Sequence, residues 1–350
     1  MIAKRSCGGG SEAEKCRLWN HPSRDPLRDP AALLTQEGNF RLLHNFNSLT
    51  AGVHCPTFPT PLMKSALLAI LIAAFSSMAY VQRPAPELRL ALVDLQGEVQ
   101  NLGSLPISTF APRISPNGKQ LTFDTQENGL EVWIEDFPSL QNRRKLLSDG
   151  QYPMWSADNE RIFYISVHNG QQALYWRRAD GTGAAELLQE PARAPEHWLP
   201  KLGSITFITL SNGDYDVWRY SIDDKKASPL IVLPRSSQHS SRVSPDQRYI
   251  AYASDETGNF EVFVQPIPTT GMKFQITHGG GEHPVWSPDG SLIYFNRGDR
   301  LLSLAVKTDP TVVAGNPIQL PISGFIQGAG RRQFDITSDG KKFLMLFPPR

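Results

Sequence analysis

Cysteine is scarce in this 350-residue chain, since its 3 cysteines, Cys7, Cys16 and Cys55, all precede residue 63. The remaining chain therefore holds neither a disulfide framework nor a cysteine-ligated zinc site. An excess of one charge sign is also missing, because 35 Lys and Arg face 34 Asp and Glu, for a formal net charge of +1. Without a basic field, no nucleic-acid partner is expected.

Long apolar runs are absent too, and the longest is short for a membrane span of about 20 residues. Lys64 gives residues 63–65 a basic start, residues 66–75 are apolar, and Ser77 and Ala79 are the small residues before a cut. This pattern predicts a secretory signal peptide at 63–79, with a membrane anchor or a buried helix as alternatives. We expect residues 1–62 to be a disordered extension or a mis-assigned start that precedes Met63.

The motifs of common enzymes are also missing. The sequence contains no Gly-x-Ser-x-Gly elbow, His-Glu-x-x-His helix, phosphate-binding loop or calcium-hand loop. The chain is therefore predicted to be no enzyme and to need no cofactor.

What the chain does contain is a turn motif that recurs at intervals of about 43 residues, a period typical of propeller blades. Its copies are Ser115-Pro116-Asn117-Gly118, Ser156-Ala157-Asp158-Asn159, Ser244-Pro245-Asp246-Gln247, Ser287-Pro288-Asp289-Gly290 and Ser338-Asp339-Gly340. A degenerate copy spans residues 198–203, with Pro200 at the position of the motif serine. Proline, Asp and Gly in this order favour a tight turn.

Short apolar or aromatic segments follow each turn, as in 121–123, 132–134 and 145–147 of the first unit. Four strands per unit predict an all-β, six-bladed β-propeller over residues 80–350. The last unit ends after two strands, and residues 88–103 resemble the missing pair. We therefore expect N-terminal strands to pair with the last blade and close the ring.

The turn Trp286-Ser287-Pro288-Asp289-Gly290 and segment 254–262 resemble the TolB-like, WD-related β-propeller repeat family, and the resemblance covers residues 88–350. The C-terminal part also resembles propeller sensor regions of bacterial serine/threonine kinases. Kinase motifs are absent, so kinase activity is not implied.

The residues that precede each turn are the candidate binding site, because they should enter the innermost strands and converge on one mouth of the channel. The predicted ligand-binding residues are Tyr152, Glu196, His197, His239, Glu282, His283 and Arg332, with Phe110 and Gln333 at equivalent positions. They suit an anionic or peptide ligand. Two alternatives remain: solvated loop ends, and a divalent metal held by His197, His239 and His283.

Two repeated residue types have a structural interpretation. We expect the turn acids Asp158, Asp246, Asp289 and Asp339 to stabilise their own turns. We expect Trp133, Trp155, Trp176, Trp218 and Trp286 to pack between blades, a sugar-binding surface being the alternative.

The predicted function is that of an exported, non-catalytic binding or scaffold propeller that engages a protein or glycan partner at one face of the ring. The expected location is periplasmic or secreted, without stable membrane insertion after signal cleavage. A metal-dependent lyase or hydrolase and a detached sensor domain are the alternatives. The sequence leaves the oligomeric state open.

Overall fold

The computed structural model describes residues 86–328 and 330–349, so the predicted signal at 63–79 and the segment 1–62 lie outside the described residues. The described chain forms antiparallel sheets whose innermost strands contact one another around a ring. The strands are β1 (Glu87–Asp94), β2 (Val99–Pro106), β3 (Thr109–Ile114), β4 (Gln120–Thr125), β5 (Glu131–Asp136), β6 (Arg144–Leu147), β7 (Gln151–Trp155), β8 (Arg161–His168), β9 (Gln171–Arg178), β10 (Glu186–Gln189), β11 (Ala194–Leu199), β12 (Ser204–Ser211), β13 (Asp214–Ser221), β14 (Lys226–Ile231), β15 (Gln238–Val243), β16 (Tyr249–Ser254), β17 (Glu261–Pro266), β18 (Phe274–Gln275), β19 (Glu282–Trp286), β20 (Leu292–Arg297), β21 (Arg300–Lys307), β22 (Val313–Ala314), β23 (Ile318–Ser323), β24 (Phe334–Ile336) and β25 (Lys342–Phe347).

These strands form six blades, which confirms the predicted six-bladed β-propeller. Blades 1 to 4 are β3–β6, β7–β10, β11–β14 and β15–β18, blade 5 is β19–β23, and blade 6 contains β24, β25, β1 and β2. A short 3-10 helix at Pro200–Leu202 follows β11. None of the helical segments described reaches the length and hydropathy needed to cross a bilayer.

Blade 6 is built from both ends of the described chain, as the sequence predicted. Strand β1 pairs antiparallel with β25, with Leu92 opposite Leu344, and β2 forms the outer edge. Leu90 and Leu346 are completely buried between blade 6 and blade 1. Closure thus pairs a sheet edge that would otherwise be exposed.

Blade 5 departs from the predicted four strands. Strand β21 pairs first with the short β22 and then with β23, so this sheet has five strands. The prediction of four strands per unit missed the extra strand, because Val313–Ala314 is too short to show an alternating pattern.

The repeated turn is held by its own side chains, as expected for the turn acids. Ser287 Oγ donates to Asp289 Oδ1 at 2.5 Å, and Asp289 Oδ1 accepts the N–H of Ser291 at 3.0 Å. Gly290 completes the turn with φ +73°. The same serine-to-acid bond occurs in blades 2 and 4, and Asn117 replaces the acid in blade 1.

In two turns the motif lies one residue earlier than the position predicted from the sequence. In blade 6 Thr337, and not Ser338, donates to Asp339. In blade 3 Trp198 pairs with Ile205 as Trp286 pairs with Ile293, so Leu199, and not Pro200, holds the serine position. Neither residue is a serine, which is why the sequence placed the motif one position late.

Turn acids give the fold a defined acid sensitivity. Hydrogen bonds from the Ser287 hydroxyl, then from the Ser291 N–H and hydroxyl, lower the pKa of Asp289 to about 2. Its contribution is complete above the unfolded pKa of about 3.9 and is lost as pH falls toward 2. We expect Asp289→Asn, which keeps an acceptor as Asn117 does, to flatten the fall in Tm between pH 4 and 2.

Asp289→Ala is the matched comparison, since it removes the acceptor at every pH. Its Tm should be lower than that of the wild type across the whole pH range. Thermal unfolding at several pH values checks both, and an Asp289→Asn profile parallel to the wild type would contradict the assignment.

Motif tryptophans join adjacent blades, as the packing interpretation predicted. Trp155 Nε1 donates to the Arg113 carbonyl at 3.1 Å, and Trp286 Nε1 donates to the Arg242 carbonyl at 3.0 Å, in each case across a blade boundary. The two indoles are buried, with 5% and 6% exposure. The remaining three, Trp133, Trp176 and Trp218, are partly buried against the apolar clusters.

Trp286→Phe tests this bond between blades 4 and 5. The phenyl ring keeps much of the packing but leaves the buried Arg242 carbonyl without its donor. We expect a loss of about 1–3 kcal/mol in the free energy of unfolding. Urea unfolding measures it, and no loss would show that the indole acts through packing alone.

Candidate functional site

A cavity of ≈ 410 Å³ occupies the channel at the end where the turns gather. At least three residues from each blade line it, and residues at equivalent positions of the six blades form three layers. The floor layer is Arg113, Met154, His197, Arg242, Val285 and Asp335; the middle layer is Ile114, Trp155, Trp198, Val243, Trp286 and Ile336; the rim layer is Pro116, Ala157, Pro200, Pro245, Pro288 and Ser338. Every rim residue is exposed, so the cavity opens to solvent among the turns.

Only some of the predicted site residues line this cavity. Glu196, His197 and Arg332 line it, whereas Glu282 and His283 line a second cavity of only ≈ 20 Å³. Tyr152 and His239 line neither cavity and are buried in the wall of the channel. Ligand binding by the seven residues stays a prediction, but the structure divides them among three places.

A β-bulge near the start of the inner strands explains this division. Pairing with the second strand shifts between His239 and Arg242 and between Glu282 and Val285. Ser240 and His283 within these bulges adopt φ of +58° and +53°. A bulge re-aims its side chains, and here it turns them toward the neighbouring blade.

Ser240 illustrates the closed wall that results. Its Oγ lies 2.8 Å from His239 Nδ1 and 2.6 Å from His283 Nδ1, so it donates to one ring and accepts from the other. Burial lowers the pKa of His239 to about 4, and burial, then His239 and Arg332, lower the pKa of His283. Ser240 lines neither cavity, and its contacts with the two rings join blades 4 and 5.

Glu196 makes the same kind of link between blades 3 and 4. Its carboxylate accepts the backbone N–H groups of Ser240 and Ser241, the second at 2.8 Å. Burial raises the pKa of Glu196, against these hydrogen bonds and the nearby Arg242. Both carboxylate oxygens are thus committed to the wall.

The histidines do not form the metal site that the sequence left as an alternative. The Nδ1 atoms of His239 and His283 both face Ser240 Oγ, while His197 lines the other cavity. Burial, then Arg242 and Arg332, lower the pKa of His197 to about 3, so it is neutral. Over residues 86–328 and 330–349, no three His, Cys, Asp or Glu side chains are placed to hold an ion.

Two arginines, Arg113 and Arg242, are the feature of this cavity that the sequence prediction missed. Arg113 and Arg242 belong to the floor layer, and Arg332 lines the cavity beside them. Burial, then the charge of Arg332, lower the pKa of both floor arginines, that of Arg242 to about 9. The available signal was their shared place two residues before the motif serines Ser115 and Ser244, closer to the turn than the predicted residues of the other blades.

Only Arg332 among these three has a carboxylate partner, Asp335 Oδ1 at 2.8 Å. Arg113 Nη1 donates to the carbonyls of Pro112 and Arg332, and Arg242 Nη1 donates to those of Glu196 and Ser241. In the described chain, no Asp or Glu oxygen lies within 4 Å of either floor guanidinium. The floor is therefore suited to hold an anion.

Comparison with known proteins agrees with this fold. A TolB-type protein from Agrobacterium tumefaciens superposes with a TM-score of 0.59 at 17% identity, covering 76% of this chain and 99% of that one. TolB from Acinetobacter baumannii gives 0.53 at 16% identity, covering 76% and 72%. At these identities the likeness concerns the fold alone.

A curated relative is dipeptidyl-peptidase 5 from Porphyromonas endodontalis, 24% identical over 244 residues. The match covers 51% of this chain and 35% of that protein, so the chain spans about a third of the relative's length. The family model described as the TolB beta propeller domain matches residues 73–311. The chain therefore belongs to the TolB beta propeller domain family.

Proposed function

We propose that this chain is an exported, non-catalytic binding module that engages a protein partner through the turn-side mouth of its channel. The observation that carries the proposal is the ≈ 410 Å³ cavity, which opens among exposed turn residues of all the blades. Its volume falls within the range of about 300–1,000 Å³ that is usual for binding pockets.

The chemistry of the lining supports binding over catalysis. The motif serines Ser244 and Ser287 line the cavity, but their hydroxyls donate to Asp246 and Asp289 within the same turns. A nucleophilic serine would instead need a base positioned to take its proton.

The apolar walls support a protein partner over a glycan. Sugar-binding sites present exposed aromatic faces, whereas Trp155 and Trp286 are only 5% and 6% exposed. Trp198 stacks on Phe163 with ring centroids 5.6 Å apart. Proline dominates the rim layer, and it offers apolar surface without a donor N–H.

Site-specific photo-crosslinking tests the proposed face. A benzoylphenylalanine placed at Ala157 or Ser338, both in the rim layer, should crosslink to the same partner in cells. The control is Asn128, an exposed residue in the loop between β4 and β5, on the other side of the ring. Crosslinks from Asn128 alone would place the binding face elsewhere.

A blocking variant provides the second arm. Ala157→Trp should obstruct the mouth and reduce crosslinking from Ser338, while Asn128→Trp should not. Unchanged crosslinking in Ala157→Trp, with the protein folded, would contradict the proposed mouth.

Export is tested separately at the N-terminus. If residues 63–79 are a cleaved signal, the protein recovered from cells should begin near Tyr80. Edman sequencing checks this, and a first residue well before Tyr80 would contradict cleavage.

A further inference from the structure

We propose that the floor of the channel cavity binds a carboxylate of an acidic peptide segment, clamped between Arg113 and Arg242. This inference depends on the proposed function, because it names the chemistry that the partner presents at the turn-side mouth. It identifies the side chains that would select the partner.

The position of the two arginines is the first argument. They occupy the same floor position in blades 1 and 4, which lie opposite each other in a ring of six. The charge of Arg242 is near enough to Arg113 to contribute to the lowering of its pKa, after burial and Arg332. A carboxylate between opposed guanidinium groups accepts hydrogen bonds from both, a geometry that arginine favours.

The local charge balance is the second argument. Three guanidinium groups, of Arg113, Arg242 and Arg332, adjoin the floor, against the two carboxylates of Glu196 and Asp335. Both of these carboxylates are already engaged. Asp335 accepts from Arg332 at 2.8 Å and from the Ile114 N–H at 2.9 Å, and Glu196 accepts from the β15 backbone.

An unpartnered donor points the same way. Arg332 is 93% buried, with 7% exposure, and its Nε has no hydrogen-bond partner in the described chain. Buried donors of a charged group are normally satisfied. The guanidinium of Arg332, bonded to Asp335 through Nη1, therefore adds a buried positive charge beside the floor.

The layers above the floor indicate that the anion belongs to a peptide. The middle layer is composed of Ile, Val and Trp side chains, and the rim layer is mainly proline. A uronic-acid sugar would bring several hydroxyls that this apolar wall leaves unpaired, at a cost for each. An acidic residue flanked by apolar residues meets both the charged floor and the apolar wall.

Selection from a degenerate peptide library tests the inference while the partner itself is still unidentified. The full-length chain is immobilised and exposed to acetylated, amidated hexapeptides with every amino acid at each position, and retained peptides are sequenced by mass spectrometry. We expect Asp or Glu to be enriched at one position, by about tenfold or more over Asn or Gln. A parallel mixture of uronic-acid and neutral oligosaccharides forms the glycan arm.

Variants assign the enrichment to the floor. Arg242→Met keeps side-chain length but removes the charge, and should abolish the acidic preference. Arg242→Lys keeps the charge without the planar fork, and should retain only part of it. Arg300→Met is the matched control, since Arg300 is an exposed arginine on β21, and it should leave the preference unchanged.

The peptide selection and the rim crosslinking together distinguish the possible outcomes. Retention of peptides without acidic preference, or an undiminished acidic preference in a folded Arg242→Met, overturns the inference. Stronger retention of uronic-acid oligosaccharides than of peptides overturns the peptide class. If rim crosslinking at Ala157 persists while the acidic preference fails, the inference is wrong and the proposed function stands.

Discussion

Removal of residues 86–106 is expected to abolish cooperative folding of the propeller. These residues contain β1 and β2, and they supply Leu88, Leu90, Leu92 and Leu105, which are at most 6% exposed. Burial of one leucine contributes about 1.5–3 kcal/mol, so the four together represent about 6–12 kcal/mol. Because whole domains are stable by only about 5–15 kcal/mol, little net stability would remain.

The deletion also exposes β25 as a sheet edge. Its residues Leu344 and Leu346, completely buried in the closed ring, would face solvent beside unpaired backbone groups. We therefore expect aggregation, measured by size-exclusion chromatography, together with loss of the sigmoidal thermal transition. A deleted chain that stays monomeric with an unchanged Tm would contradict closure by β1.

A circular permutant is the matched control. Phe347 at the end of β25 lies opposite Arg89 near the start of β1, so a short glycine-containing loop can join these two antiparallel strands. A chain that starts at Ser108 and carries residues 86–106 after Pro349 keeps every strand and pairing. It should unfold cooperatively near the wild-type Tm. That result would show that the deletion acts by removing β1 and β2 and not by moving the start of the chain.

Ring closure was predictable because it depends on local pattern. Residues 88–103 show the strand types that the last unit lacks, and a period counted along the chain assigns them to the last blade. The repeated turn was equally visible, since its Ser, Pro, Asp and Gly each have a conformational role.

The floor of the cavity was not predictable to the same degree. Which inner-strand residue faces the channel depends on a bulge, which inserts a residue and changes the facing of its neighbours. His239 and Arg242 are separated by such a shift, and only the second lines the cavity. Contacts between blades, such as that of Glu196 with Ser241, join distant positions and leave no local signal.

Asp124→Leu is expected to cost about 3–5 kcal/mol in the free energy of unfolding, because it breaks a buried ion pair. Asp124 Oδ2 accepts from Arg331 Nη1 at 2.9 Å, and the two side chains are 0% and 10% exposed. The bond joins blade 1 to the segment that leads into β24, near the place where the ring closes. Arg331 also donates to Gln151 at 2.8 Å and lies 4.0 Å from the centre of the Tyr152 ring.

The loss should come from the buried charge of Arg331, which no longer faces the Asp124 carboxylate, rather than from the pair itself. Burial raises the pKa of Asp124 even though Arg331 lowers it, which indicates that the protein holds this charge at a cost. A double variant, Asp124→Leu with Arg331→Met, removes both charges and should recover most of the lost stability. Urea unfolding of the wild type, both single variants and the double variant gives the coupling energy. If the double variant loses as much free energy of unfolding as the two single variants added together, Asp124 and Arg331 act independently. The contact between blade 1 and the last blade then depends on the other contacts of Arg331.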